Sequence, residues 1–236
     1  MEHLTSLSSG LSQELFRLQN APNAPDNLQE YAINELPLVN EVGVHFRYGP
    51  SDYYVFGAFM QRRLEAFDLN MNPLEYLEAR LFSKIGLEYE SWIHDDAGNP
   101  RLPNGCYITA REQAKFGQFL LQRGHWNDEA IIDSAIFESL LKARGPNPGH
   151  GAFLWLNSPN GYPPENNPTT AAPDGSLGGF IYPKGFPDLF ACLGAGKNRM
   201  YMIPSLDVVI VRQTTGDDAN FWDDEFLDLL LGDLLN

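Results

Sequence analysis

The sequence predicts an α/β protein of the α+β kind, an antiparallel sheet flanked by helices and preceded by a helical lobe. Three observations predict it. Residues 1–145 carry helical periodicity with recognisable caps and stops, residues 189–212 alternate strand and turn, and residues 220–231 close the chain as an amphipathic helix. With 236 residues, 43% hydrophobic and 12% aromatic, there is enough apolar surface to fill one core, so a single domain over 1–236 is expected, mostly helical to 145 and mostly strands plus a helix from 146.

Taken in order, Thr5-Ser6-Leu7-Ser8-Ser9-Gly10-Leu11 is a hydroxyl-rich loop ending in glycine, and Pro22 and Pro25 keep the chain irregular until a helix opens near Asn27 and runs to about Leu36. Val44 to Tyr48 alternates like a short strand. Gly49-Pro50 then turns the chain, Pro50 forbids an earlier helix start, and Ser51 or Asp52 offers a capping oxygen for a helix whose apolar stripe is Val55, Phe56, Phe59, Met60 and Leu64. This places the Tyr48 phenol just ahead of a helix N-terminus, where the macrodipole favours negative charge and eases loss of a proton. The same residues fit an aromatic packed at a strand end, and both readings stand at this point.

Asn72-Pro73 opens the next helix and Gly86 ends it; Trp92 to Gly105 is a loop with Asp95-Asp96-Ala97-Gly98-Asn99-Pro100 turn chemistry. Thr109 and Glu112 have capping-box spacing ahead of Phe116, Phe119 and Leu120, and a further helix spans about Ser134 to Lys142. Residues 157–187 hold seven prolines and five glycines together with Tyr162, Phe180, Tyr182 and Phe186, the makeup of a loop packed over a cleft or of a surface excursion. Two hairpins follow, Leu189–Leu193 to Arg199–Ile203 to Val208–Arg212, and the acids Asp223, Asp224 and Glu225 fall in the first turn of the closing helix.

Composition excludes several classes of function. The net charge of −15 opposes nucleic acid or an anionic membrane as partner. No apolar run approaches a membrane span, and Met1-Glu2-His3-Leu4 lacks the pattern of a signal peptide, so the chain reads as soluble, with cytoplasm and periplasm both open to a longer parent. Cys106 and Cys192 are too few for a disulfide scaffold, and the five histidines stand singly, which argues against a metal site. Ser139-Leu140-Leu141-Lys142 spells Ser-x-x-Lys, but mid-helix rather than at a helix start. Gly194-Ala195-Gly196-Lys197 lacks the longer glycine spacing and following helix of a phosphate loop. A Cys–His hydrolase built on Cys192 finds no histidine near it in sequence.

In this order the pieces resemble the β-lactamase and penicillin-binding-protein-like serine hydrolases: class C β-lactamases, D-alanyl-D-alanine peptidases, related esterases and 6-aminohexanoate-dimer-hydrolase-like members. The residues that carry the resemblance are His3 to Leu11, Phe46-Arg47-Tyr48 with Tyr54-Val55-Phe56-Gly57, Ile108 to Gly117, and Gly194 to Pro204. The resemblance implies a β-lactamase/transpeptidase-like fold, no cofactor, and hydrolysis of a small-molecule ester or amide through an acyl-enzyme. It implies Tyr48 as general base and acid, Cys192-Leu193-Gly194 in the place of the third motif, and Ala195 as the oxyanion N–H donor.

Two departures bear on this. Pro50 stands where many relatives have Asn, and Cys192 where Lys, His or Trp is usual, which favours an ester or small amide over a β-lactam or peptide. The Ser-x-x-Lys motif lies upstream of the Ser-Gly-Leu stretch in relatives, so the expectation is an N-terminally truncated domain, inactive alone. The alternative expectation is a non-catalytic binding module that keeps the cleft. In either case absent strands would expose a sheet edge and favour self-association.

Overall fold

The computed structural model describes residues 1–159, 180–216 and 220–235. They divide into two compact units, Met1–Glu112 and Gln113–Asn236. The first unit is helical. Two single turns, α1 (Glu2–Thr5) and α2 (Leu15–Leu18), interrupt the stretch the sequence gives as irregular. Asn27 accepts from Glu30 N at 2.9 Å and starts α3 (Leu28–Asn34). The long helix α4 (Ser51–Ala66) packs against α1, α3 and α5 (Pro73–Leu77). Leu15, Leu28, Ala32, Leu36 and Tyr54 form a core beneath it, with the Tyr54 hydroxyl satisfied by Gln19 Oε1 at 2.8 Å.

Helix α5 carries a full capping box between Asn72 and Glu75. It widens into a π turn, Glu78–Phe82, and ends as α6 (Ser83–Ile85) at Gly86, whose φ of 63° lies in the left-handed region that glycine adopts most readily. Strands β1 (Ser91–Trp92) and β2 (Cys106–Tyr107) pair antiparallel at the ends of the acidic turn. The Asp95 carboxylate anchors that turn, accepting from Asn99 N at 2.8 Å and from Leu28 N at 2.9 Å.

The expected strand from Val44 to Tyr48 does not form. Gly43 is left-handed (φ 82°) and Val44 lies in a turn, so the alternation finds no partner strand and the segment runs as an irregular connection. Nor does Ser51 or Asp52 cap α4; the N-cap position is Pro50, which has no side-chain oxygen to give.

Helix α7 (Ala110–Leu121) starts where Thr109 Oγ1 accepts from Glu112 N at 3.3 Å. A hairpin that the sequence does not announce, β3 (His125–Trp126) and β4 (Glu129–Ala130), turns through Asn127 and Asp128 with φ of 48° and 63°. Asp133 caps α8 (Ser134–Leu140). Strands β5 (Trp155–Leu156), β6 (Phe190–Leu193), β7 (Arg199–Ile203) and β8 (Val208–Arg212) form one antiparallel sheet in the order β5-β6-β7-β8, with Ala191, Tyr201 and Ile210 in register. The final helix α9 is Asp223–Leu231.

Successive residues of β7 face opposite sides, and the two helices use this. On one side Met200 and Val209 meet α7 at Gly117, where a Cβ would stand 2.6 Å from Val209 Cγ1 and 3.0 Å from Met200 Sδ. On the other, the Tyr201 ring lies 6.3 Å from Phe226 of α9. Of the proline-rich stretch, residues 160–179, Tyr162 among them, lie outside the described residues. Its flanks are held by Asn157, which accepts from Tyr182 N at 2.9 Å and donates to the carbonyls of Tyr182, Gly185 and Phe186.

Adding a methyl group at Gly117 forces α7 off the sheet, and that overpacking outweighs the helix propensity gained. Gly117→Ala is expected to lower stability by roughly 1–2 kcal/mol, read as a lower urea midpoint with an unchanged slope.

Candidate active site

Tyr48 is half-buried, three residues ahead of α4, on a segment tied along the hydroxyl-rich loop. Arg47 N donates to Leu7 O at 2.8 Å, Gly43 N to Ser8 O at 2.7 Å, and Val39 N to Gly10 O at 2.8 Å. The resembling stretches His3–Leu11 and Phe46–Gly57, far apart in sequence, are therefore joined directly by the Arg47–Leu7 bond, with Gly43 and Val39 bonded to the same loop just ahead of it. Ser6 and Ser8 are buried with their hydroxyl oxygens 2.8 Å apart, and Ser6 Oγ also donates to Glu2 O at 2.9 Å. These hydroxyls serve the loop.

The N-terminus of α4 is capped from a distance. Gln13 Oε1 accepts from Ser51 N at 3.0 Å while Gln13 Nε2 donates to Asp52 Oδ2 at 2.9 Å, and Ser51 Oγ donates to Ser12 O at 2.7 Å. Gly49 leaves room for this, since a Cβ there would stand 2.2 Å from Gln13 Oε1. Sequence reasoning missed Gln13, because a cap supplied from 38 residues upstream leaves no local pattern. Asp52 itself is buried, 1% exposed. Desolvation lifts its carboxyl from 3.8 to about 6, against the opposing hydrogen bonds from Ser9 and Gln13.

In the second unit Cys192, Gly194 and Ala195 come together where β6 runs into a tight turn. Gly194 N donates to Asn198 O at 2.9 Å to close it, and Gly196 (φ 65°) and Lys197 (φ 60°) turn the chain through the left-handed region. β7 then follows, so the Gly-x-Gly-Lys run is a hairpin turn and not a phosphate loop. Cys192 is partly buried, and burial pushes its thiol up to about 12, which removes the thiolate that a cysteine nucleophile needs. Cys106 is likewise pushed up to about 11.

Beneath the turn lies a cluster that the sequence did not single out. Arg199, 0% exposed, donates from Nε to Asp223 Oδ1 at 2.7 Å, and Asp223, 1% exposed, also accepts from the Tyr201 hydroxyl. Arg199 Nη1 reaches Gly194 O at 2.9 Å and Asn198 O at 3.1 Å. Arg212 lies 4.0 Å over the Phe221 ring and donates to Lys197 O at 2.7 Å. Acids opening α9 are legible as a favourable helix start; that the first of them is the counter-ion of a buried arginine is not.

Ser139 is turned into its own helix. Its hydroxyl donates back to Ile136 O at 2.6 Å in the last turn of α8, and Lys142 lies beyond the helix end.

No protein-family model matches this chain, and no curated protein matches it by sequence. Solved structures do match. The chain aligns over 99% of its length with a Bacillus anthracis protein described as a 6-aminohexanoate-dimer hydrolase, at a TM-score of 0.70 and 17% identity. It aligns over 100% with a Bacteroides dorei protein described as a β-lactamase (TM-score 0.63, 15% identity, 72% of that chain) and over 100% with a Mycobacterium bovis β-lactamase (TM-score 0.64, 13% identity, 74% of that chain). It spans 60% of the length of the Bacillus anthracis protein. The fold is β-lactamase-like. Among the described residues no helix is long and apolar enough to cross a membrane.

The raised carboxyl of Asp52 makes the folded state bind a proton more tightly than the unfolded chain does. Its contribution is therefore most favourable below about pH 4 and is lost as pH rises through about 6, on the order of 3 kcal/mol by linkage. Asp52→Asn is expected to gain roughly 1–2 kcal/mol at pH 8, with the advantage shrinking towards pH 4.5, in paired urea titrations of variant and parent.

Proposed function

We propose that this chain is part of a serine hydrolase of the β-lactamase-related kind that cleaves an ester or small amide through an acyl-enzyme. In this reading Tyr48 is the general base and acid, Ala195 N–H donates to the oxyanion, and Cys192 and Gly194 border the acyl group. The observation that carries it is the Gly194–Asn198 turn. The carbonyls of Gly194, Ala195, Lys197 and Asn198 all accept from side chains or backbone of the turn and its own supports, while the N–H of Ala195, an exposed residue, has no acceptor among the described residues. Such a turn keeps a donor ready without reorganisation. Cys192 brings no cation to hold a substrate carboxylate, which favours an ester or a small amide.

The nucleophile is not among residues 1–236 in this reading, because the only Ser-x-x-Lys run is spent on α8. The purified chain should therefore take up no fluorophosphonate by intact mass and should not raise p-nitrophenyl acetate hydrolysis above buffer. A single adduct on Ser6, Ser8, Ser9 or Ser139, or turnover that falls in Tyr48→Phe, would place the nucleophile inside the chain and overturn the expected inactivity.

Self-association through β8 belongs to the same proposal, with a second copy as the partner. Among the described residues β8 pairs only with β7; Val208, Val209, Ile210, Val211 and Arg212 are all half-exposed, without proline, glycine or lysine to protect the edge. Arg212 is turned away towards Phe221 and Lys197 O, so no charge guards the strand. Antiparallel pairing about Ile210 would satisfy both edges at once. Two copies of a −15 chain repel, so screening should promote the dimer. Sedimentation velocity between about 1 and 100 µM is expected to give a dimer that strengthens from roughly 0.05 to 0.5 M salt; a monomer throughout would exclude it.

A further inference from the structure

We infer that Arg199 is the positioning residue for the Ala195 amide, acting through the Gly194 carbonyl. The inference rests on the reading of Ala195 as the oxyanion donor. Gly194 C=O and Ala195 N–H belong to one planar trans peptide group, so their bond directions are opposed. Arg199 Nη1 holds that oxygen at 2.9 Å from the buried side of the turn. With the oxygen drawn towards the guanidinium, the Ala195 N–H points away from it, and Ala195 is exposed.

The contact also changes the strength of the donor. A hydrogen bond from a cation to a carbonyl is charge-assisted, and polarising the C=O of a peptide group makes its N–H a better donor. The guanidinium is itself fixed. Asp223 takes Nε at 2.7 Å and Nη2 at 3.4 Å, the Tyr201 hydroxyl holds Asp223, and Asn198 O shares Nη1 at 3.1 Å. Asp223 is the first residue of α9, so the closing helix anchors the arginine that sets the peptide plane. Arg199 does not touch the substrate in this arrangement; it acts only through the peptide.

The test uses the full chain, labelled with 15N, as Arg199→Lys and Arg199→Gln. In Arg199→Gln the Ala195 amide resonance should move, and the Gly194 amide, which closes the turn on Asn198 O, should exchange with solvent about ten times faster. The ladder amides of Tyr201 and Met202 should keep their exchange rates. Arg199→Lys, which retains a cation near Gly194 O, should lie between Gln and the parent for both readouts. If Arg199→Gln does not fold, Arg199→Lys alone is read in the same way, with displacement of Ala195 and faster Gly194 exchange expected. An unmoved Ala195 resonance, or ladder amides that accelerate as much as Gly194, would overturn the inference and leave Arg199 a general core residue. Neither readout needs turnover, so this result separates from a failure of the hydrolase reading, which the phosphonate and ester assays decide.

Discussion

A guanidinium without access to water governs how the second unit is built. Arg199 is 0% exposed, and a lone charge in such a place costs several kcal/mol even after relaxation. The chain answers with a carboxylate at 2.7 Å and with two backbone carbonyls that face the remaining protons. Each answer constrains a different element. Asp223 must open α9 at the sheet surface, Tyr201 must present its hydroxyl to the same carboxylate, and the turn after β6 must fold its oxygens inward. A hydrophobic replacement of the pair would remove the desolvation cost and with it the link among helix, sheet and turn. That linkage, rather than net stabilisation, is the consequence of keeping the ion pair.

The first unit solves a similar problem with a neutral amide. Pro50 starts α4 and leaves the terminal N–H of Ser51 without a local oxygen. Gln13 supplies it, and because a primary amide both accepts and donates, its nitrogen also meets Asp52. The hydroxyl-rich loop and the tyrosine segment are thereby held at one helix end. Burial pushes the Asp52 carboxyl up to about 6, and the hydrogen bonds from Ser9 and Gln13 offset only part of that desolvation.

What the sequence made legible follows from how locally each feature is encoded. The β6–β7–β8 ladder was readable because apolar, β-branched runs alternate with Gly194-Ala195-Gly196 and Pro204, and these signals lie within a few residues of their effect. The caps at Asn27, Asn72 and Thr109 were readable for the same reason. Strand β5 was not, since two residues, Trp155 and Leu156, are too few for a period. Alternation from Val44 to Tyr48 misled, because a strand needs a partner and the neighbouring chain offered single bonds at Leu7, Ser8 and Gly10. Gln13 and Asp223 sit 38 and 24 residues from the groups they serve, and no window of sequence contains both ends. The residues proposed from sequence, Tyr48, Cys192, Gly194 and Ala195, came from the family resemblance and not from any local pattern of caps or periods.

The bonds that fix these geometries share a feature that bears on how far such a sequence can drift. Gln13 addresses Ser51 N, Ser51 addresses Ser12 O, Asn157 addresses the carbonyls of Tyr182, Gly185 and Phe186, Arg199 those of Gly194 and Asn198, and Arg212 that of Lys197. In each case the recipient is backbone, which any residue supplies, proline at the Ser51 N–H excepted. A substitution at the recipient leaves the bond in place, so half of every such contact is free to change. Constraint concentrates instead on the side chains that make these bonds and on positions without room for a side chain, such as Gly49 beneath Gln13 and Gly117 against the sheet. A fold wired in this way can keep its geometry, at TM-scores of 0.63 to 0.70, while identity falls to 13–17%.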